Sequence, residues 1–162
     1  MAVTDDIVAT YRGPRVVMRR LLQGERHEAR ALTYLIAALI VIFVAQWPRL
    51  SRAAHFAPDV PLTQHMVGTF LAALAMIPAF YLLAALGHLA ARALGGRGDY
   101  FSARIALFWA LLAVTPLMLL QGMVAGFIGP GLQATLVGVI VFTVFLWFWV
   151  SGLRVAEFGG GE

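Results

Sequence analysis

Charged side chains divide this chain into long apolar stretches. Between Arg30 and Arg49 lie 18 uncharged residues, 31–48, close to the roughly 20 that carry one helix across a bilayer. Tyr34 and Trp47 sit near the two ends of that stretch, as interfacial aromatics do. Between Asp59 and Arg92 lie 32 more, enough for one long or tilted helix and too few for two helices with a turn. They predict a second span over about residues 66–89, with Pro78 near its middle as a kink. From 105 to 153 there are 49 uncharged residues. As one helix these would extend about 70 Å, over twice the hydrocarbon thickness. The stretch must fold back, and Gly129-Pro130-Gly131 is its strong breaker. A third span is therefore expected over about residues 106–128 and a fourth over about 134–151.

The first thirty residues are too few to bury a core of their own. Thr4, Asp5 and Asp6 read as a helix start, with Val3, Ile7, Val8 and Tyr11 on one face of the helix they open. Gly13-Pro14 ends that helix and begins another. On it Pro14, Val17, Met18, Leu21 and Leu22 share a face opposite Arg19, Arg20 and Gln23. The pattern is that of an amphipathic cytoplasmic segment, whose apolar face either lies on the inner leaflet or packs on the ends of the spans. The expected organisation is an N-terminal segment 1–30, a four-span membrane domain 31–155 and a short cytoplasmic tail 156–162. The fold class is all-α, an integral membrane helical bundle.

Composition agrees: 61% of residues are hydrophobic and 12% charged, more apolar surface than a soluble domain of this size hides. All 12 basic residues are arginine, against 8 acids. They flank apolar runs and form no basic face interleaved with stacking aromatics, so nucleic acid is not the expected partner. Grouped by side for four spans, ten arginines fall with the chain ends and the loop between spans two and three; only Arg49 and Arg52 fall on the other side. The positive-inside bias then places both termini in the cytoplasm. The chain has no cysteine, which removes disulfides, thiolate nucleophiles and Cys-ligated metals. Nothing at its start resembles a cleavable signal peptide.

Candidate chemistry is sparse. Gly96-Arg97-Gly98-Asp99 spells the G-x-G-D string of intramembrane aspartyl proteases, but the second carboxylate that such a mechanism requires is missing. Asp99 reads instead as a cap for the helix that follows. His88 is the one ionisable residue inside an apolar run and so a possible functional group within the membrane. One turn before Arg92, it reads primarily as a structural histidine reaching interfacial water or the last carbonyls of its helix. No other histidine or carboxylate lies within a helical turn of it. Gln46, Thr115, Gln121, Thr143 and Ser151 are expected to hydrogen-bond between helices, at roughly 0.6 to 2 kcal/mol each. Small residues recur every four positions in Gly68/Ala72, Gly87/Ala91/Gly95 and Gly122/Gly126, a spacing that permits close helix approach. No catalytic, cofactor or metal site emerges.

Gly95-Gly96-Arg97-Gly98-Asp99-Tyr100-Phe101, followed by Ser102-Ala103-Arg104 and a helix with Pro116 at its centre, resembles the glycine-pair motif of the Yip domain family. These are small polytopic membrane proteins named for interaction with Rab-type GTPases. Gly152-Leu153-Arg154-Val155, directly after an aromatic-rich span, is similar to the close of that family's fourth helix. The resemblance covers about residues 14–157 and implies structural-motif roles for Gly95, Gly96, Gly98, Tyr100, Pro116, Gly152 and Leu153. Two departures from the family pattern stand out. The chain ends 8 residues after Arg154, as a four-span version would, where many members continue into a fifth span. The acidic-aromatic motif ending in Tyr-Gly-Pro in the eukaryotic branch is reduced to Tyr11-Arg12-Gly13-Pro14, which speaks against GTPase binding. The form is similar to the bacterial branch and implies an inner-membrane location. The expected function is a non-enzymatic scaffold, assembly factor or accessory subunit, with membrane lipids and other membrane proteins or further copies of itself as partners. The alternative is a small oligomeric transporter or channel, with Pro78 and Pro116 as helix breaks at a binding site.

Overall fold

The computed structural model describes residues 2–159 and is all-helical. Among the described residues there are seven helices: α1 (Val3–Arg12), α2 (Pro14–Leu22), α3 (Glu28–Phe56), α4 (Leu62–Ala75), α5 (Ile77–Ala93), α6 (Tyr100–Phe127) and α7 (Leu132–Phe158). Four segments are long and apolar enough to cross a membrane: α3, α4 with α5, α6, and α7. Gly129-Pro130-Gly131 separates α6 from α7 as expected. Helix α7 continues two turns past Ser151, so residues 156–158, read from sequence as tail, are its last turn. Gly160 and Gly161 of the terminal glycine run lie outside the described residues.

Helix α6 is the axis of the bundle. Every residue from 105 to 115 is buried, as in a helix apolar on all sides, and α3, α5 and α7 pack around it. The α3–α6 contact depends on glycine. A Cβ on Gly122 would overlap the backbone of Ala45, and one on Gly126 would overlap Pro48. Backbones thus approach closely where dispersion is the main attraction between helices. Gly68, in the same kind of small-residue spacing, has nothing within 4 Å; that stripe is unused within the chain. Pro116 sits inside α6 without ending it.

The second span breaks at Met76, two residues before the expected kink site, and Pro78 occupies the first turn of α5. Proline lacks an N–H and its ring crowds the carbonyl four residues back, so the disruption falls on the N-terminal side of Pro78. The backbone is still satisfied there. The Met76 N–H donates to Ala72 and Ala73, and the Phe80 N–H donates to the Met76 carbonyl at 3.0 Å. No residue of α4 is buried.

Helix α2 turns Pro14, Val17, Met18 and Leu21 inward, onto α6 and α7. Of its two expected placements, these side chains take the one on protein. Helix α1 is rotated from its expected orientation. Thr10 is its buried residue, with Ile7, Ala9 and Tyr11 against the core, while Val3 and Val8 are exposed. The reason is polar: the indole N–H of Trp109 donates to Thr10 Oγ1 at 3.1 Å, so satisfying a buried donor fixes which face turns inward. Tyr11 also meets the Phe148 ring edge-on at 5.0 Å.

At Thr115, Thr143 and Gln46 local hydrogen bonds replace the expected ones between spans. Thr115 donates to the Leu112 carbonyl at 2.7 Å, Thr143 donates to that of Val139 at 2.8 Å, and Gln46 accepts from Arg49 at 3.0 Å. A threonine hydroxyl on a helix finds a carbonyl three or four residues back without requiring a neighbour.

Candidate functional site

Three chain segments meet at the end of the bundle that carries the chain termini. The last turns of α5 bring His88, the glycine-rich connection brings residues 95–98, and the last turn of α7 brings Glu157. His88 is 2% exposed and Glu157 likewise 2%. His88 Nδ1 and Glu157 Oε1 are 2.6 Å apart and share a hydrogen bond. The other carboxylate oxygen accepts the Gly98 N–H at 3.1 Å, and the Glu157 backbone carbonyl accepts the Arg97 N–H at 2.8 Å. Tyr100 closes the site, its ring centroid 4.3 Å from that of His88.

The connection is shaped to reach Glu157. Helix α5 ends in a Schellman turn: the Gly96 N–H returns to the Ala91 carbonyl at 2.9 Å and the Gly95 N–H to that of Arg92 at 3.0 Å. Such a turn needs a left-handed residue, and Gly95 has φ +92°. Gly95 therefore serves backbone conformation and not the close packing expected of it, since a Cβ there would meet nothing within 4 Å. Gly96 and Gly98 serve proximity. A Cβ on Gly96 would lie 2.9 Å from the Ala91 carbonyl oxygen and 3.0 Å from Glu157 Oε2, and one on Gly98 would overlap the Ala156 carbonyl and the Glu157 carboxylate.

Asp99 stands at the head of α6 as its N-cap. Its Oδ1 accepts the Ser102 N–H at 2.7 Å and the Ser102 hydroxyl at 2.6 Å, and Arg26 lies 2.7 Å from Oδ2. Partial burial pushes its carboxyl pKa up, but the Ser102 hydrogen bonds and the Arg26 guanidinium outweigh this and hold it below the usual carboxylate value. Its Ser102 contacts are those of a cap, as the turn reading of the G-x-G-D string expects.

The remaining motif residues are distributed. Gly152 is buried where α7 crosses α2 and α6, and a Cβ there would meet Met18 at 2.9 Å and Ala106 at 3.4 Å. Leu153 is half-buried and faces Gly87. Pro116 lies in α6, away from the cluster. Glu157 escaped the sequence reading because it follows Arg154 and so resembles tail. The available signal was Val155 and Ala156, which carry the apolar pattern of α7 through to Glu157. Among the described residues, no group of three histidine, cysteine or acidic side chains is placed to hold a metal.

No curated protein and no solved structure matches the chain. The Yip1 domain family model does match, over residues 8–160, nearly the whole length. The chain belongs to the Yip1 domain family.

Proposed function

We propose that this protein is a non-enzymatic scaffold, assembly factor or accessory subunit of a larger membrane complex, held in a bacterial inner membrane with both chain ends in the cytoplasm. The observation that supports it is the use made of the buried polar pair. His88 and Glu157 bond to each other and to the glycine-rich connection, so the groups best suited to chemistry instead hold α5, the connection and α7 together. The second span fits a role in association. None of α4 is buried, and Phe70, Leu71 and Leu74 are exposed, apolar side chains that lipid or a neighbouring membrane helix would cover.

Purification of the full chain from native membranes in mild detergent, with identification of co-purifying proteins, tests this. A stoichiometric larger partner is expected. A homo-oligomer alone, with ion or solute flux in liposomes, would replace the reading with that of a small channel or transporter.

A further inference from the structure

The end of the bundle opposite the chain termini carries a second polar feature. The last turns of α3, the end of α6 and the start of α7 enclose an open cleft of about 570 Å³, within the range of small-ligand sites. Arg49 and Arg52 line it, together with apolar Ala53, Phe56 and Ala134. We propose that this cleft binds the phosphodiester of a membrane phospholipid, with the two arginines as its cationic ligands.

The Arg52 guanidinium is held in place before any ligand arrives. It lies 4.9 Å from the centre of the Phe56 ring, and its NH1 donates to the Gly126 carbonyl at 3.3 Å. It rests so close to Gly129 that a Cβ there would come within 2.7 Å of NH2. Arg49 is tethered through Nε to Gln46. Each guanidinium has five N–H donors, so both keep donors for an anion, and the planar fork suits phosphate. Among the described residues neither arginine has a carboxylate within salt-bridge distance. They are also the only two of the 12 arginines on their side of the span pattern. Two such charges at the edge of a bilayer find their anion in lipid headgroups. The apolar wall favours a lipid over free phosphate, because it offers acyl or glycerol carbon a surface that a fully hydrated ion does not need.

Native mass spectrometry of the delipidated full chain in mild detergent tests the proposal, with phosphatidylglycerol, diacylglycerol of the same acyl chains and inorganic phosphate as probes. Two variants are compared with the unmodified chain: R49Q/R52Q, which removes the charges, and A134F, which fills the cleft and leaves both arginines. Lipid binding to the other arginines adds a background, so the readout is stoichiometry. Both variants are expected to hold one phosphatidylglycerol fewer, while R92Q/R97Q at the opposite end keeps that molecule and diacylglycerol does not replace it. If the arginine variant fails to fold, A134F decides alone. Unchanged stoichiometry in A134F would overturn the proposal, as would equal retention of diacylglycerol. Displacement of the bound lipid by millimolar inorganic phosphate would also overturn it, in favour of a free-anion site.

Discussion

His88 and Glu157 would each be costly to bury alone, and 69 positions of sequence separate them. Removing one partner strands the other without water or a hydrogen bond, at a cost of about 1–3 kcal/mol. Replacing both with apolar residues removes that penalty. Glu157→Leu is therefore expected to lower the thermal midpoint in detergent more than the double change His88→Leu/Glu157→Leu, measured by tryptophan fluorescence. A double variant as damaged as the two singles combined would show that the two residues act independently. Asp99 offers a second test. Asp99→Asn should be close to neutral at pH 7, because asparagine caps about as well, while Asp99→Ala should cost about 1 kcal/mol. The folded carboxyl titrates below its ordinary 3.8, so its contribution is complete above that value and lost as pH falls through the lower folded one. In acid the unmodified chain should thus become less stable than Asp99→Asn, an order visible in a pH series of thermal melts.

Whole helices meet through glycine here, and similar-looking glycines do different work. Gly122 lies against the Ala45 backbone, whereas Gly68 faces open space. Gly122→Leu should cost at least the 1–3 kcal/mol typical of overpacking and part α3 from α6, while Gly68→Leu should leave the thermal midpoint unchanged. Equal tolerance would contradict the α3–α6 contact. In the connection, Gly95→Ala imposes only a left-handed strain of about 1–2 kcal/mol, with no collision. Gly98→Ala collides with Ala156 and Glu157, so it should free the end of α7 and raise hydrogen exchange at residues 154–158.

The whole molecule is organised around α6, with polar devices at both ends and apolar side chains between. The orientation proposed for it in the membrane rests on the ten-to-two division of arginines and is testable on intact cells. Ser51 and Leu94 lie at opposite ends and are exposed, Leu94 at 81%. With cysteine at each position in turn, a membrane-impermeant thiol reagent applied from outside should label position 51 and spare 94. Labelling of 94 alone would invert the topology, and the proposed lipid site would then face the inner leaflet.

Four helices long and apolar enough to cross a membrane, the turn at Gly129-Pro130-Gly131, the cap at Asp99 and the family were legible in the sequence. Each depends on the length of an uncharged run, a local breaker or a short motif, and bilayer thickness converts run length directly into span number. Which face α1 buries, which glycines are crowded and what His88 bonds were decided only by tertiary structure. Val8 and Thr10 lie on nearly opposite faces of α1, and the apolar pattern points to the Val8 face until Trp109 presents an N–H that must be satisfied. His88 looked isolated because its partner comes from another helix, at the end of a span that continues past its expected stop. Local patterns fix where a helix forms and what it excludes, but a buried polar group finds its partner through helix packing, which the spacing along the chain does not encode.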